Sequence, residues 1–323
     1  MKRGLVIGKF MPLHHGHIAL INYAAERCDE LIVSMSYTHY DAINPQLRFS
    51  WLQHIFSSNL FIKCYLIKDD FDNENLPLYE RTKLWAKRIQ QVYPPISYVF
   101  SSESYGEPFA ESLAATHIPF DVTRALVPVS ATLIRTKPFT YWNFIPDIVR
   151  PYFVKKICFF GPESTGKTYM ASRMSAIFNT QWVSEAARAM LTSNEFTKTD
   201  IIKIATKQFQ DYQTKLLTAN KFLFCDTDVI TTQIYSQHYL GEVPAELLNI
   251  ELQTPYDIYF LMNIDVPWIA DYIRDFGDRR NIMMEIFTAQ LDKRKILCKV
   301  VSGSYAEREQ QVIHTLNEML MQY

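Results

Sequence analysis

The feature that most constrains this chain is a glycine-containing junction between an apolar run and a helical pattern, which occurs twice. The first junction is Gly8-Lys9-Phe10-Met11-Pro12-Leu13-His14-His15-Gly16-His17 after residues 4–7, and the second is Gly161-Pro162-Glu163-Ser164-Thr165-Gly166-Lys167-Thr168 after residues 157–160. Short apolar runs of this kind are typical of buried parallel strands, and glycine suits the tight loop that leads from strand to helix. The sequence therefore predicts an α/β chain with two units in series, both with mainly parallel sheets.

Length, composition and charge agree with two globular units. The chain has 323 residues, of which 48% are hydrophobic and 21% are charged, and this suits two soluble domains of ordinary size. Pro138, Pro146 and Pro151 punctuate one stretch of the chain, so we place a boundary there that gives domains 1–150 and 151–323. The formal charge of −1 argues against a general nucleic-acid binder, which needs a clustered excess of Lys and Arg.

The cysteines and the apolar runs predict a cytoplasmic protein without a membrane span. No two cysteines form a C-x-x-C pair and several lie in apolar runs, so we interpret all five as reduced core thiols: Cys28, Cys64, Cys158, Cys225 and Cys298. The apolar run at residues 5–7 is too short for a signal peptide. No run approaches the roughly 18 residues that a membrane helix needs.

Further apolar runs outline the rest of each unit. Ile18, Ile21, Ala25 and Cys28 recur at helical spacing after the first loop, and a long helix is predicted at residues 200–219. Both loops therefore lie at the carboxyl ends of parallel strands, where open α/β sheets bind ligands. Additional strands are predicted at residues 31–35, 61–67, 96–100, 222–225, 258–264 and 299–302.

The second loop has the Gly-x4-Gly-Lys-Thr pattern of a Walker A phosphate loop, in the strand-to-helix context that this motif requires. Lys167 is expected to reach the β- and γ-phosphates of ATP, and Thr168 to offer its hydroxyl to Mg2+. Asp226 ends a predicted strand in a Walker B arrangement, so we expect it to hold Mg2+ or to activate an acceptor hydroxyl. The loop residues expected to bind ATP are Gly161, Ser164, Thr165, Gly166 and Thr168.

A charged segment further along the chain is interpreted as a mobile lid over the same site. Arg274 and Arg279 are assigned to ATP binding and Arg280 is a further candidate, because a lid arginine can place positive charge against a transferring phosphoryl group. A solvated charge cluster is the alternative, since acidic residues are interleaved with these arginines. Which arginine engages stays open.

The first loop carries His14-x-Gly16-His17 at the predicted start of a helix. Gly16 permits a tight turn, and the two imidazoles can donate hydrogen bonds to charge that develops on a bridging phosphate oxygen. Near the end of the same unit, Ser130-Ala131-Thr132-Leu133-Ile134-Arg135 supplies hydroxyls and a guanidinium that can clamp departing pyrophosphate. Catalytic roles are assigned to His14, His17 and Arg135, and ATP binding to Gly8, Lys9, Phe10, Gly16, Ser130 and Thr132.

Together these two motifs resemble the nucleotidyltransferase superfamily. Class I aminoacyl-tRNA synthetases share a related histidine motif, but they would carry a Lys-rich second motif and a far longer chain. Residues 8–10, 130–139 and 141–146 further resemble the NadR-type bifunctional family, and the resemblance covers essentially the whole chain. That family joins a nicotinamide-mononucleotide (NMN) adenylyltransferase to a ribosylnicotinamide kinase, which implies a Rossmann-like N-terminal domain and a P-loop kinase domain.

The resemblance also implies roles for residues outside the two loops. Asn44, Arg48 and Trp51 would lie near the acceptor mononucleotide or the triphosphate, and residues 101–103 beside the adenosine. The alternatives are that Arg48 is a solvated helix charge and that Trp51 and Trp85 are core residues rather than base-stacking platforms. In the kinase domain, Glu185 would bind the ribose or act as base, with Arg188 and Asp228 as substrate contacts; a surface ion pair and a helix cap are the competing interpretations.

The function expected from this resemblance is NAD salvage. The kinase domain would phosphorylate nicotinamide riboside to NMN with ATP, and the N-terminal domain would adenylylate NMN to NAD+ with release of pyrophosphate. The expected partners are these small molecules, with no nucleic acid and with a homo-oligomer left open. Some relatives carry an N-terminal helix-turn-helix repressor module, for which the early first strand leaves no room. The alternatives are an NAD-sensing regulator with a vestigial transferase and a flavin kinase/FAD synthetase, whose kinase half lacks a Walker A loop.

Overall fold

The structure, a computed structural model, describes residues 1–191, 196–269 and 279–322. Within these ranges the chain divides into two compact units, Met1–Val149 and Arg150–Gln322, which we call the N-terminal and C-terminal units. Each contains one five-stranded sheet with helices between the strands, as the two strand-loop-helix junctions predicted.

The N-terminal unit alternates strands and helices along the chain. Its strands are β1 (Arg3–Gly8), β2 (Glu30–Tyr37), β3 (Ile62–Lys68), β4 (Tyr98–Ser101) and β5 (Thr116–Pro119). Its helices are α1 (His15–Ala25), α2 (Pro45–Phe56), α3 (Leu78–Val92), α4 (Gly106–Ser112) and α5 (Ala131–Thr136), followed by a 3-10 turn at Trp142–Phe144. The strand order is β3-β2-β1-β4-β5 and every pairing is parallel. Because the order reverses between β1 and β4, the loop after β1 opens at the switch point where such sheets bind ligands.

The core of this unit explains why its central strands β1, β2 and β4 are largely apolar. Leu5, Ile32 and Val99 are at most 2% exposed and pack against residues of α3 and α4, among them Ile89 and Phe109. A parallel sheet covered by helices on both faces buries successive side chains, so β1 and β2 have runs of consecutive buried residues, whereas the edge strand β3 alternates.

The C-terminal unit has the same alternation with a different strand order. Its strands are β6 (Lys155–Phe160), β7 (Gln181–Val183), β8 (Phe222–Asp226), β9 (Ile258–Met262) and β10 (Cys298–Val301). Its described helices are α6 (Lys167–Ile177), α7 (Ala186–Met190), α8 (Lys198–Leu216), α9 (Val229–Leu240), α10 (Ala245–Gln253), α11 (Arg280–Lys293) and α12 (Tyr305–Gln322), after a 3-10 turn at Arg150–Tyr152. The parallel sheet has the order β10-β9-β6-β8-β7, so β6 is central and its carboxyl end lies between β8 and β9.

Aromatic side chains fill both faces of this second sheet. Phe159 stacks on Phe224 and Phe260, with ring centroids 6.1 and 5.7 Å apart, on the face covered by α6 and α12. Phe160 contacts Phe287 of α11 on the opposite face, at 4.9 Å. These rings hold β6 rigidly beneath the phosphate loop that follows it.

Two sequence expectations differ from the structure. Strands β5 and β7, of 4 and 3 residues, were not predicted, because each lies at an edge of its sheet and lacks a continuous apolar run. Cys28 lies beyond the end of α1, so it does not belong to the helical stripe. In the ranges that the structure describes, no helix is both long and apolar enough to cross a bilayer.

Candidate active sites

The loop after β1 in the N-terminal unit brings two imidazoles together at the start of α1. His14 is the N-cap of α1, and its Nδ1 accepts hydrogen bonds from the backbone N–H groups of Gly16 and His17 at 3.1 and 3.4 Å. Because backbone N–H groups can only donate, Nδ1 carries no proton and the neutral ring holds its proton on Nε2. The cap therefore fixes the tautomer of His14.

The second imidazole stacks on the first. The ring centroids of His14 and His17 are 3.6 Å apart, and Phe10 contacts His17 edge-on at 4.9 Å. Burial, with a contribution from the nearby Arg124 guanidinium, lowers the pKa of His14 from 6.5 to about 3 and holds the pKa of His17 well below its usual value. Both rings are consequently neutral near pH 7, so each can donate one hydrogen bond but carries no positive charge.

Gly16 allows these rings to approach the helix so closely. A Cβ on Gly16 would lie 3.0 Å from the His14 ring, which is tighter than normal packing accommodates. The buried Nδ1 of His17 has no hydrogen-bond partner among the described residues. An unsatisfied buried nitrogen costs free energy, and sites that bind ligands are where such groups are retained.

Arg48 is a buried side chain that hydrogen-bonds to the backbone of this loop. Its side chain is fully buried, its Nη1 donates to the carbonyl oxygen of Lys9, its Nη2 pairs with the carboxylate of Asp41, and its Nε donates to Ile43 O at 3.1 Å. The interpretation of Arg48 as a solvated helix charge is therefore wrong. Since its donors meet protein acceptors, the geometry favours a positioning role, and a direct contact with substrate stays a prediction.

Two other residues predicted near the acceptor have structural contacts. Asn44 caps α2 by accepting from the N–H groups of Gln46 and Leu47 at 2.9 and 3.3 Å. Trp51 is 4% exposed and belongs to the core, as the alternative interpretation expected. The assignment of Asn44 to the substrate-binding set stays a prediction.

Two cavities open on either side of the β1 loop. The histidine cavity is lined by predicted residues of both motifs together with unpredicted ones, namely Gly8, Phe10, His14, Gly16, His17, Ser102, Glu103, Arg124, Ser130 and Thr132. The tryptophan cavity is lined by Lys9, Ser34, Asp69, Phe71, Asp72, Arg81 and Trp85, among others. Ile7, Gly8 and Tyr105 line both cavities. A ligand that fills both would thus pass over the backbone of Gly8.

The second motif, residues 130–135, contacts the first motif through a side chain of α5. Ser130 caps α5 by accepting from Leu133 N at 3.2 Å. Arg135, which is exposed, donates to the carbonyl oxygen of Met11 and to the Thr132 hydroxyl, the latter at 3.1 Å. The two motifs, more than 100 residues apart in sequence, are thus in direct contact.

Arg124 is a cavity residue that sequence reasoning missed, and Trp85, which was weighed as a base-stacking or core residue, also lines a cavity. Arg124 follows β5, has a φ of +54°, and donates to the Glu103 carboxylate at 2.7 Å beside the histidines. Trp85 lies on α3 near the Asp72–Arg81 ion pair, whose atoms are 2.6 Å apart. No local pattern marks either residue, because β5 is a short edge strand and a tryptophan on an amphipathic helix usually belongs to the core.

The loop after β6 in the C-terminal unit requires its glycines. Gly161 and Gly166 have φ values of +135° and +86°, and a Cβ on Gly161 would lie 3.0 Å from the carbonyl oxygen of Met262. Thr165 is fully buried and its hydroxyl donates to Pro162 O at 2.9 Å. Residues 161–166 therefore turn tightly at the start of α6, where backbone N–H groups are available to an anion.

Lys167 and the acidic end of β8 meet within this loop. The Lys167 ammonium donates to Pro162 O at 2.7 Å, and burial lowers the pKa of this lysine against the opposing charges of Glu185 and Asp226. Thr168 Oγ1 donates to Asp226 Oδ2 at 2.5 Å. Burial and the charge of Glu185 raise the pKa of Asp226 to about 6, while Lys167 and Thr168 favour its ionised form.

The Thr168–Asp226 pair fits the site of a magnesium ion. Asp226 is fully buried, and its Oδ1 has no hydrogen-bond partner in the described parts of the chain. Mg2+ in nucleotide sites is usually held by one or two protein oxygens, with phosphates and water completing the octahedron. Among the described residues no group of three or more His, Cys, Asp or Glu side chains is placed to hold a metal.

A third cavity, which we call the glutamate cavity, adjoins this loop. It is lined by Glu163, Glu185, Phe196, Gln208, Thr227, Tyr235 and other residues of α8 and α9. Glu185 faces this cavity and also accepts from Arg188 Nε at 3.0 Å. The i,i+3 ion pair that competed with a substrate role is thus present, and it holds Glu185 at the cavity wall.

Asp228 has the contacts of a helix cap. Its carboxylate accepts from the N–H of Thr231 at 3.1 Å and from the Tyr259 hydroxyl at 2.8 Å, and it is 2% exposed. It does not line the glutamate cavity. The geometry favours the cap interpretation, and a substrate contact by Asp228 stays a prediction.

The arginines of the predicted lid have different positions. Arg274 lies outside the described residues. Arg279 is exposed at the start of α11, whereas Arg280 donates to Ser164 O of the phosphate loop at 3.3 Å and to Val266 O at 2.9 Å. Of the lid arginines that the structure describes, Arg280 is the one that contacts the loop.

Fold and loops together define a chain that joins a Rossmann-like nucleotide-binding unit to a P-loop unit. Comparison with known proteins agrees with this class. Residues 156–308 match the model of a protein family described as an AAA domain. Two solved structures of NadR protein, one in complex with NAD and AMP-PNP and one with NR, share the fold, with TM-scores of 0.80 and 0.81 at 22% and 21% identity. They cover 99% and 98% of this chain, which covers 96% and 95% of theirs.

Among curated proteins, the chain is homologous to NadR. The "Trifunctional NAD biosynthesis/regulator protein NadR" of Salmonella typhimurium and that of Escherichia coli are each 28% identical to it over 98% of this chain and 83% of their own length. A nicotinamide-nucleotide adenylyltransferase of Methanocorpusculum labreanum is 29% identical over 32% of this chain and 59% of its own length. Two of these relatives are thus named for NAD biosynthesis and its regulation, and the third for nicotinamide-nucleotide adenylyl transfer.

Proposed function

We propose that the chain is a bifunctional enzyme of NAD salvage whose two units catalyse successive reactions. The C-terminal unit phosphorylates nicotinamide riboside with ATP to give NMN and ADP. The N-terminal unit joins NMN to the adenylyl group of a second ATP, which gives NAD+ and pyrophosphate. The observation that carries this proposal is the presence of two different phosphate-binding loops in a chain homologous to NadR over 98% of its length.

In the adenylyl transfer, a phosphate oxygen of NMN attacks the α-phosphorus of ATP and the bond to pyrophosphate breaks. The ATP lies in the histidine cavity and the nicotinamide end of NMN in the tryptophan cavity, so the new bond forms over Gly8. The Nε2–H of His14 and the N–H of the neutral His17 ring donate to the oxygens around the α-phosphorus as negative charge develops there. Because both imidazoles are neutral, Arg124 and Arg135 supply the positive charge for the triphosphate.

In the kinase reaction, the 5′-hydroxyl of the riboside attacks the γ-phosphorus of ATP and ADP leaves. The riboside lies in the glutamate cavity, where Glu185 accepts the hydroxyl hydrogen bond and its proton. Lys167 exchanges its bond to Pro162 O for bonds to the phosphates. Thr168 and Asp226 would hold Mg2+, which neutralises charge on the phosphates.

The experiment that tests this proposal follows the two products separately. Purified protein is incubated with ATP, Mg2+ and a panel of ribosides and mononucleotides, and ADP and pyrophosphate are measured. We expect ADP only with nicotinamide riboside or a close analogue, and pyrophosphate only with the corresponding mononucleotide. Lys167→Ala should abolish ADP formation, whereas the matched control Lys207→Ala, an exposed lysine paired with Asp211, should not. ADP formation that survives in Lys167→Ala would remove the C-terminal assignment.

A further inference from the structure

Arg308, in the first turn of α12, is a buried arginine that the proposed chemistry does not use. Its side chain is 0% exposed. Burying a guanidinium costs several kcal/mol unless its donors are satisfied, so a fully buried arginine marks a position where its hydrogen bonds matter. Sequence reasoning missed Arg308, because it lies far from both loops in sequence.

The guanidinium of Arg308 connects three loops at the carboxyl edge of the sheet. Nη1 donates to Thr165 O in the phosphate loop after β6, at 2.7 Å. Nη2 donates to Asn263 O after β9 at 2.9 Å and pairs with the Asp265 carboxylate, and Nε donates to Gly303 O after β10 at 2.9 Å. Asp265 in turn accepts from Gly303 N at 2.6 Å, which closes the network.

The bond to Thr165 O acts on a peptide unit that can face a phosphate. The carbonyl of Thr165 and the N–H of Gly166 belong to one planar peptide, so fixing the carbonyl also fixes the direction of the N–H. A cationic donor on the carbonyl polarises the peptide and makes its N–H a stronger donor. Arg280 donates to the preceding carbonyl, Ser164 O, at 3.3 Å, so two successive peptides of the loop receive guanidinium bonds from behind.

We propose that Arg308 is the positioning residue of the phosphate loop: it fixes and polarises the Thr165–Gly166 peptide so that the Gly166 N–H binds a phosphate of ATP. Arg308 itself does not touch the nucleotide. The inference rests on the proposed binding of ATP by the C-terminal unit and adds the residue that prepares the loop for it. Lysine cannot replace arginine here, because one ammonium does not reach carbonyls on three loops with fixed geometry.

The test compares Arg308→Lys with Arg294→Lys. Arg294 is a partly buried arginine of the same unit that bonds to Glu251, Gln233 and Gln290, none of which lies in the phosphate loop. We expect Arg308→Lys to raise the KM for ATP in riboside phosphorylation by roughly 10- to 100-fold with little change in the KM for the riboside. Arg294→Lys should lower thermal stability without changing the KM for ATP.

Calorimetric titration with ATP in the absence of any acceptor separates this inference from the proposed function. The ATP site that disappears in Lys167→Ala is the phosphate-loop site, and its affinity should fall in Arg308→Lys. If the wild-type protein binds ATP there but phosphorylates no riboside, the proposed function fails and the titration still decides the role of Arg308. Unchanged ATP affinity in Arg308→Lys, or an equal loss in Arg294→Lys, overturns the inference.

Asp265→Asn provides an independent test in case Arg308→Lys does not fold. Asp265→Asn removes the charged partner of Arg308 while leaving its three carbonyl acceptors in place. We expect a smaller loss of ATP affinity, on the order of 3- to 10-fold, because the guanidinium loses one charge-assisted bond and is less firmly held. Wild-type ATP affinity in this variant contradicts the proposal.

Discussion

Acidification should destabilise the N-terminal unit through His14, and replacing His14 with Asn should remove that effect. Burial, with a contribution from Arg124, holds the pKa of His14 at about 3, compared with 6.5 for an exposed imidazole. Below pH 6.5 the unfolded chain takes up a proton at this side chain and the folded chain does not. Stability is therefore fully present above pH 6.5 and is lost as the pH falls toward 3.

The magnitude follows from the difference between the two pKa values. At about pH 5, His14 lies about 1.5 pH units below its unfolded pKa while the folded side chain is still neutral, and 1.36 kcal/mol per unit gives a loss of about 2 kcal/mol. Asparagine keeps an acceptor for the N–H groups of Gly16 and His17 and does not titrate. Between about pH 8 and pH 5 the free energy of unfolding should therefore fall by about 2 kcal/mol less in His14→Asn than in the wild type, whatever the absolute stability of the variant.

Guanidinium denaturation at about pH 8 and pH 5, with hydrogen exchange and mass spectrometry to assign the transition to residues 1–149, measures this difference. His54→Asn is the matched control, because His54 is an exposed histidine of the same unit on α2. The control should behave as the wild type. If His14→Asn loses as much stability between the two pH values as the wild type does, the argument from a buried neutral imidazole is wrong.

Three further predictions concern the sites. His17→Ala should lower pyrophosphate release by about 10²–10³-fold while leaving riboside phosphorylation intact, and Lys167→Ala should do the reverse, so a mixture of the two variants should make NAD+ from nicotinamide riboside. If the mixed variants make no NAD+ although each retains its own normal half-reaction, NMN must pass between the two sites within one chain or oligomer. Arg124→Ala should raise the KM for ATP in adenylyl transfer and Arg124→Lys should recover part of the loss; equal kinetics in all three proteins would remove Arg124 from the site. Asp228→Ala should cost about 1 kcal/mol of stability with an unchanged riboside KM, measured by thermal unfolding and ADP release, whereas a large rise in KM would restore the substrate role.

The fold class was predictable because its signals are local. Each loop follows a buried strand and precedes a helix, which leaves an apolar run and a helical pattern in fixed sequence order, and the C-terminal loop also needs positive φ values at Gly161 and Gly166. The same holds for the caps that orient functional groups, since His14 and Ser130 each act on residues two or three positions further on.

What sequence reasoning missed depends on contacts between distant segments. Arg48 resembles any exposed helix arginine until the fold places the carbonyl of Lys9 and the carboxylate of Asp41 around it. Arg124 enters the histidine cavity only because β5 pairs with β4 and carries the following loop to Glu103. Lys9 lies 39 residues from Arg48 and Glu103 lies 21 residues from Arg124, and partners at such separations leave no periodicity in the sequence, so neither side chain could be placed without the structure.

The residues that the two N-terminal cavities share have a consequence for product inhibition of such an enzyme. Ile7, Gly8 and Tyr105 line both the histidine cavity and the tryptophan cavity. In the proposed reaction NAD+ has one end in each cavity. The product therefore occupies both the ATP site and the NMN site. Accumulated NAD+ would then compete with ATP and with NMN alike, and synthesis would slow as the coenzyme pool fills without any separate regulatory site.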